Sequence, residues 1–451
     1  MKKILFNAFA LLLGLMIHAS PASSQDNTTA DYVWPEDPAV LRKLQDWQDL
    51  KFGVILHWGL YSVPGIVESW NLCNESWVVR PEGSTYEGYK QWYWGLAKDF
   101  NPVLFDPGQW ASVFAGAGMK YVIFTTKHHD GYCLFDSAFT DFSSAKGPSG
   151  KDFVVPVLDT FRSNGFMVGE YFSKPDWHHP GYWNPYYATP DRHNNYDRKM
   201  HPDWWESYVE YTRNQITEIT GPRYGPVDIL WLDGGWVSGG EVGLDGLVPD
   251  IRRRNPGIII VDRTIGGPNE NYQTPERTFP AGQIGHPWES CIPLSDDWGW
   301  TPGHRYKTAG QVIATLAQIV AKGGNFVLGI GPTPQGLIDD EAAAILSEVG
   351  AWLRRYGTAI YGTRTTSVYG NGSDVWFTVS KDGRTTYAIF APQDGAPAPE
   401  VLEWTGNVPS GKVRMLDGGK RLRTTVSGDN VKIWLPKDMP AGAFALEFRT
   451  Q

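Results

Sequence analysis

The chain has 451 residues, 41% of them hydrophobic, enough to bury a large core and to build at least two domains. Its 40 basic and 49 acidic side chains leave a formal net charge of -9, and no basic run stands out, which argues against a nucleic-acid partner. Only three cysteines are present, Cys73, Cys133 and Cys291, so the fold does not depend on disulfides, while 21 tryptophans are a weak pointer to sugar stacking.

At the N-terminus, Lys2-Lys3 precede an apolar run over 4–17, and small residues follow over 19–24. A basic start, a short apolar core and small residues make a cleavable secretory signal, expected over 1–24 with cleavage near Ala22 or Ser24. A polar leader over 25–34 follows. The apolar run is too short to cross a membrane, and no later stretch is long enough. The expectation is an exported, periplasmic or extracellular protein, off the membrane once the signal is removed.

Residues 35–364 alternate helical and strand patterns. Helical spacing over 40–50 leads into a strand over 52–59, and then comes a long Trp-, Tyr- and Gly-rich loop over 60–99. A helix over 110–117 precedes a strand over 120–126, which ends in Lys127-His128-His129-Asp130-Gly131. A helix over 153–163 and a strand over 167–172 follow, then a loop over 174–201 crowded with His, Trp, Tyr and Pro. Next come a helix over 204–220 and strands over 227–232 and 257–261. A long loop separates these from a helix over 309–321, a strand over 325–330 and a helix over 339–356.

Alternation of this kind predicts a parallel α/β architecture. No GxGxxG turn opens a helix, as an open nucleotide-binding sheet would want, so a (β/α)8-like (TIM-type) barrel is the better fit. Beyond 365 the pattern changes to a hairpin, 375–380 and 385–390 around Lys381-Asp382-Gly383, with strands at 413–416 and 431–435. These predict a small C-terminal antiparallel β-sandwich over 365–451.

Polar groups recur at successive strand ends: His57, His128 and His129, Tyr171, Asp233 and Arg263. Asp233 follows the apolar run Ile229-Leu230-Trp231-Leu232 and precedes Gly234-Gly235. In a barrel that end carries catalytic groups, although Asp also simply shapes turns. A catalytic Asp233 needs a second carboxyl. Glu289, beside Trp288, is the first candidate, since apolar neighbours raise a carboxyl's pKa and suit it to proton donation. Glu276, beside Arg277, competes for the role. Two carboxyls about a scissile bond are what glycoside hydrolysis requires. Neutral imidazoles hydrogen-bond sugar hydroxyls through one donor and one acceptor nitrogen. The same histidines with Asp233 allow a weaker metal-site reading, but no HExxH or CxxC pattern supports it. His178-His179 read as loop residues, and Arg263 has Asp262 or Asp233 as possible partners.

Several short motifs carry a resemblance. They are Phe52-Gly53-Val54-Ile55-Leu56-His57-Trp58-Gly59-Leu60-Tyr61-Ser62-Val63-Pro64, Lys127-His128-His129-Asp130-Gly131, Trp231-Leu232-Asp233, Trp288-Glu289-Ser290-Cys291, Gly331-Pro332 and Ile360-Tyr361-Gly362-Thr363-Arg364. In this order they resemble the retaining α-L-fucosidases of glycoside hydrolase family 29. The resemblance implies a barrel followed by a β-sandwich, and hydrolysis with retained configuration and no cofactor or metal. It implies Asp233 as nucleophile, Glu289 as acid/base with Glu276 as the alternative, and fucose contacts from His57, His128, His129, Tyr171, Trp231 and Arg263. After the first strand the family usually has Glu-Trp-Tyr. This chain has Glu68-Ser69-Trp70, which leaves Glu68 and Trp70 as candidate substrate contacts whose roles the motif does not define. The expected function is therefore a secreted, exo-acting hydrolase that releases terminal α-linked L-fucose from oligosaccharides or glycoconjugates by double displacement. The rival reading is a non-catalytic carbohydrate-binding protein on the same fold.

Overall fold

The structure, a computed structural model, describes residues 32–393, 395–437, 439 and 442–450. The expected signal over 1–24 lies outside the described residues. In chain order the first elements are α1 (Pro38–Leu50), β1 (Phe52–Leu56), α2 (Tyr86–Gly95), α3 (Pro107–Gly116), β2 (Tyr121–Lys127), α4 (Val154–Ser163) and β3 (Met167–Ser173). There follow α5 (Pro202–Ile219), β4 (Ile229–Asp233), α6 (Leu244–Arg254), β5 (Ile259–Asp262), β6 (Glu289–Pro293), α7 (Ala309–Ala321), β7 (Asn325–Ile330) and α8 (Asp340–Tyr356).

Local chemistry explains the helix starts. Asp37 caps α1 by accepting from the Ala39 N–H, and Pro38 occupies the first turn, where a missing N–H costs nothing. Thr308 and Gln311 form a reciprocal capping box on α7. In α8, Asp340 and Glu341 sit in the first turn and Arg354 and Arg355 in the last, which complements the helix dipole.

Strands β1 to β7 form one parallel sheet in the order β5-β4-β3-β2-β1-β7-β6. The sheet has seven strands where the barrel reading expects eight. Between β5 and β6, residues 271–277 bond to both edges. Asn271 N–H donates to the Ile260 carbonyl at 2.8 Å, and Arg277 N–H donates to the Cys291 carbonyl at 2.9 Å. Pro275 has no N–H to give and Arg277 has a positive φ of 55°, so this bridging segment does not become a regular strand.

An inner cluster, including Ile55, Tyr121, Tyr171, Trp231, Tyr272, Cys291 and Val327, fills the space the sheet encloses. Helix α1 joins it through Val40, Leu44 and Trp47, and the Trp47 ring stacks on Tyr272 with centroids 4.1 Å apart. Tyr121 and Glu289 open β2 and β6, so this packing closes the N-terminal end of the sheet and leaves the C-terminal end for function. All three cysteines are buried and free, consistent with small apolar filling. Among the described residues no helix is long and apolar enough to cross a membrane.

Within the α/β part, three elements depart from the sequence-based expectation. Helix α2 lies inside the supposed 60–99 loop; its buried stripe is Tyr89, Lys90 and Tyr93 rather than aliphatic. Helix α6 carries Gly246 and an internal Pro249, which disguise it in sequence. Strand β6 is short and begins with Glu and Ser, which resembles loop.

The C-terminal part holds β8 (Thr363–Arg364), β9 (Val375–Ser380), β10 (Thr386–Phe390), β11 (Val401–Thr405), β12 (Arg414–Met415), β13 (Arg423–Ser427), β14 (Asn430–Trp434) and β15 (Phe444–Phe448). They form two antiparallel sheets, β12-β15-β10-β9-β8 and β11-β14-β13. Trp404 of β11 meets Phe377 of β9 at 5.3 Å and Phe448 of β15 at 5.9 Å, so aromatic packing joins the two sheets.

Candidate active site

Because the strands run parallel, the residues that end them gather at one mouth. A pocket of about 410 Å³ opens there, lined by His57, His128, His129, Tyr171, Trp231, Asp233 and Arg263, all anticipated from sequence. Trp70 and Glu276 also line it. Buried ion pairs brace the surrounding loops: Lys127 holds Asp176 at 2.9 Å and Lys174 holds Asp262.

Asp233 is the most heavily bonded carboxylate in the pocket. Its Oδ1 accepts from Arg263 Nη1 at 2.9 Å and its Oδ2 from the Tyr171 hydroxyl at 2.6 Å. His129 Nε2 stands 3.7 Å from Oδ2. Burial by itself would raise the Asp233 pKa. The Arg263 charge and the Tyr171 hydrogen bond outweigh it and hold the carboxyl well below the usual range. Asp233 is therefore an ionised, oriented carboxylate, with a side chain only 14% exposed.

Arg263 reaches a second acid. Its Nη2 donates to Glu276 Oε2 at 2.5 Å, and Glu276 Oε1 accepts from Trp298 Nε1 at 3.2 Å. One planar guanidinium thus holds two carboxyls on adjacent nitrogens. Glu276 sits on the bridging segment between β5 and β6, and its side chain is 29% exposed, open to the pocket. The guanidinium also lies 4.9 Å from the Trp231 ring centroid, which fixes its plane.

Burial lowers the pKa of all three histidines. His128 falls to about 4, with the Asp233 charge opposing the drop, while His57 and His129 fall well below their ordinary value with help from His128. Neutral imidazoles result. His128 Nδ1 pairs with Ser69 Oγ at 2.6 Å and His129 Nδ1 with Ser173 Oγ. His57 Nδ1 is buried with no hydrogen-bond partner. Among the described residues, no three His, Cys, Asp or Glu side chains cluster as a metal site would need.

Two of the anticipated residues do not line the pocket. Glu289 opens β6 and pairs with Asn325, the first residue of β7, which puts it toward the closed end of the sheet. It is 0% exposed, bonded to the Tyr121 hydroxyl at 2.6 Å, and burial raises its pKa to about 7 against its tyrosine and Trp231 neighbours. Glu289, the residue expected as acid/base, is therefore buried outside the lining of the pocket. The apolar neighbour that singled out Glu289 marks burial in the interior. Glu68 is also internal, 2% exposed, and accepts from the Gly299 N–H, so it shapes the wall.

The pocket adds residues that sequence reading missed: Trp298, Trp236, Arg192, His193 and Cys291. Trp236 stood in the Gly-Gly-Trp run after Asp233, and Arg192 and His193 in the aromatic-rich 174–201 loop, so the loops carried the signal but the individual positions did not. Ser69, Thr264 and Arg277 have positive φ values of 27°, 66° and 55°. Each follows a residue named above, Glu68, Arg263 or Glu276, and strained backbone of this kind gathers where side chains must be aimed.

Comparisons with known proteins point to one family. The family described as Alpha-L-fucosidase matches residues 19–358. Tissue alpha-L-fucosidase of Homo sapiens is 29% identical over 472 residues, covering 97% of this chain and 95% of its own length. Among solved structures, alpha-L-fucosidase isoenzyme 1 from Paenibacillus thiaminolyticus aligns with a TM-score of 0.78 and 29% identity, over 92% of this chain and all (100%) of that one. The Thermotoga maritima alpha-fucosidase in complex with fucose aligns with a TM-score of 0.75, 29% identity and the same coverage, 92% and 100%.

Proposed function

The chain belongs to the α-L-fucosidase family of glycoside hydrolases, and from that premise we propose that it releases terminal α-linked L-fucose by a retaining double displacement, with Asp233 as nucleophile and Glu276 as acid/base. The observation that carries this reading is that Asp233 and Glu276 are the two carboxyl side chains lining the pocket, both within reach of Arg263. Retaining enzymes place their two carboxyls close together, about 5–5.5 Å apart, and a shared planar cation favours that spacing.

In the first step an Asp233 oxygen attacks the anomeric carbon while Glu276, in its protonated form, gives its proton to the departing glycosidic oxygen. The C–O bond to the aglycone breaks and a fucosyl ester of Asp233 forms with inversion. Esterification removes the Asp233 charge. Glu276, now a carboxylate, takes a proton from water, and the water oxygen displaces Asp233 with a second inversion. Tyr171 and Arg263 aim the nucleophile. The neutral histidines offer donors and acceptors to sugar hydroxyls, and Trp231 supplies an apolar floor. None of these steps uses a cofactor. Exo action on fucosylated oligosaccharides or glycoconjugates is part of this reading.

Asp233→Asn tests the reading. Turnover of an aryl α-L-fucoside should fall by about 10⁴-fold or more. Near wild-type turnover would refute it, and retained fucose binding by an inactive wild type would favour the non-catalytic sugar-binding alternative. We place the protein outside the cytoplasm, on the strength of the basic and apolar N-terminus. Recovery of the full-length chain in the cytosolic fraction with residues 1–24 intact would overturn that placement.

A further inference from the structure

Beside the pocket mouth, outside its lining, Trp77 carries an indole that is 48% exposed. Its ring centroid lies 5.5 Å from that of Trp70, a wall of the pocket. The segment that carries Trp77 is braced on both sides. Glu75 Oε1 accepts from Arg192 Nε at 2.7 Å, and Arg80 Nε donates to the Asn71 carbonyl at 2.8 Å. Arg192 itself lies 4.8 Å from the Trp70 ring centroid and 5.2 Å from that of Trp236. An indole held this firmly, yet left in water, is surplus to core packing.

A pocket that takes a terminal sugar leaves the sugar attached to it outside the mouth. A flat indole face meets the C–H face of a pyranose well, and Arg192 and His193 supply donors for its hydroxyls. The charge of Arg192 is already matched by Glu75, so the site favours a neutral sugar over an acidic one. We propose that Trp77, with Arg192 and His193, forms a subsite for the neutral pyranose to which fucose is attached. This subsite rests on the fucosidase reading above and decides which fucosylated chains are cleaved well.

The test compares two substrates in wild type and in Trp77→Ala. α-L-Fucosyl fluoride fills only the pocket, whereas the best-cleaved member of a panel of neutral α-L-fucosyl disaccharides also reaches the subsite. The disaccharide kcat/KM should fall roughly tenfold, as loss of one aromatic stack predicts, and the fluoride value less than about twofold. Trp77→Phe should keep most of the disaccharide activity. Equal losses on both substrates, or no loss on the disaccharide, would overturn the subsite. Wild-type turnover of the fluoride checks the fucosidase reading separately.

Discussion

Replacing Glu289 with Gln separates burial from catalysis at a position the family motif points to. The folded-state pKa of Glu289 is raised to about 7 from an ordinary 4.5, with burial as the main cause. Between those values the folded chain keeps a proton that the unfolded chain has released, so stability falls as pH rises through that window and levels off above it. Gln cannot ionise, and its carbonyl can still accept from the Tyr121 hydroxyl. The variant should therefore gain about 3 kcal/mol over wild type at pH 8 and only about 1 kcal/mol at pH 5. Urea midpoints at the two pH values measure the difference. Turnover of an aryl α-L-fucoside should stay within about tenfold of wild type, since Glu289 touches no substrate. A gain that does not change with pH would refute the burial argument. Loss of activity that azide restores would put Glu289 back in the acid/base role.

The remaining expectations concern the pocket. Glu276→Ala should lose about 10²- to 10⁴-fold in turnover, and azide should restore activity on a substrate with a good leaving group, yielding a β-fucosyl azide; no rescue would exclude Glu276 as acid/base. Arg263→Gln removes the charge that, against burial, holds the Asp233 carboxyl low. The acid limb of the kcat/KM profile should then move to higher pH, and an unmoved limb would show that Arg263 does not tune the nucleophile. The same profile in wild type should show no limb near pH 6.5 from His57, His128 or His129, because burial keeps them neutral there.

Much of the site was legible because a parallel strand has a fixed direction. An apolar run that ends in His57, His128, Tyr171, Asp233 or Arg263 must deliver that side chain to the same end of the sheet as its neighbours, whatever the loops do. Strand and helix periodicity and the ordered motifs supplied the parallel α/β class and the family, but not the seven-strand count. The choice between Glu289 and Glu276 was beyond them. Both acids lie between β5 and β6 or at its start, and both have polar and aromatic neighbours in sequence. Sequence spacing does not say that Pro275 and the turned backbone at Arg277 keep 271–277 as an irregular bridge, or that β6 begins at Glu289. That register sends Glu289 into the closed end against Tyr121 and leaves Glu276 facing Arg263 in the open pocket. Strand direction is a local property that the chain carries with it. Which of two carboxyls meets a shared guanidinium depends on how distant segments close the sheet, and only the tertiary structure decides it.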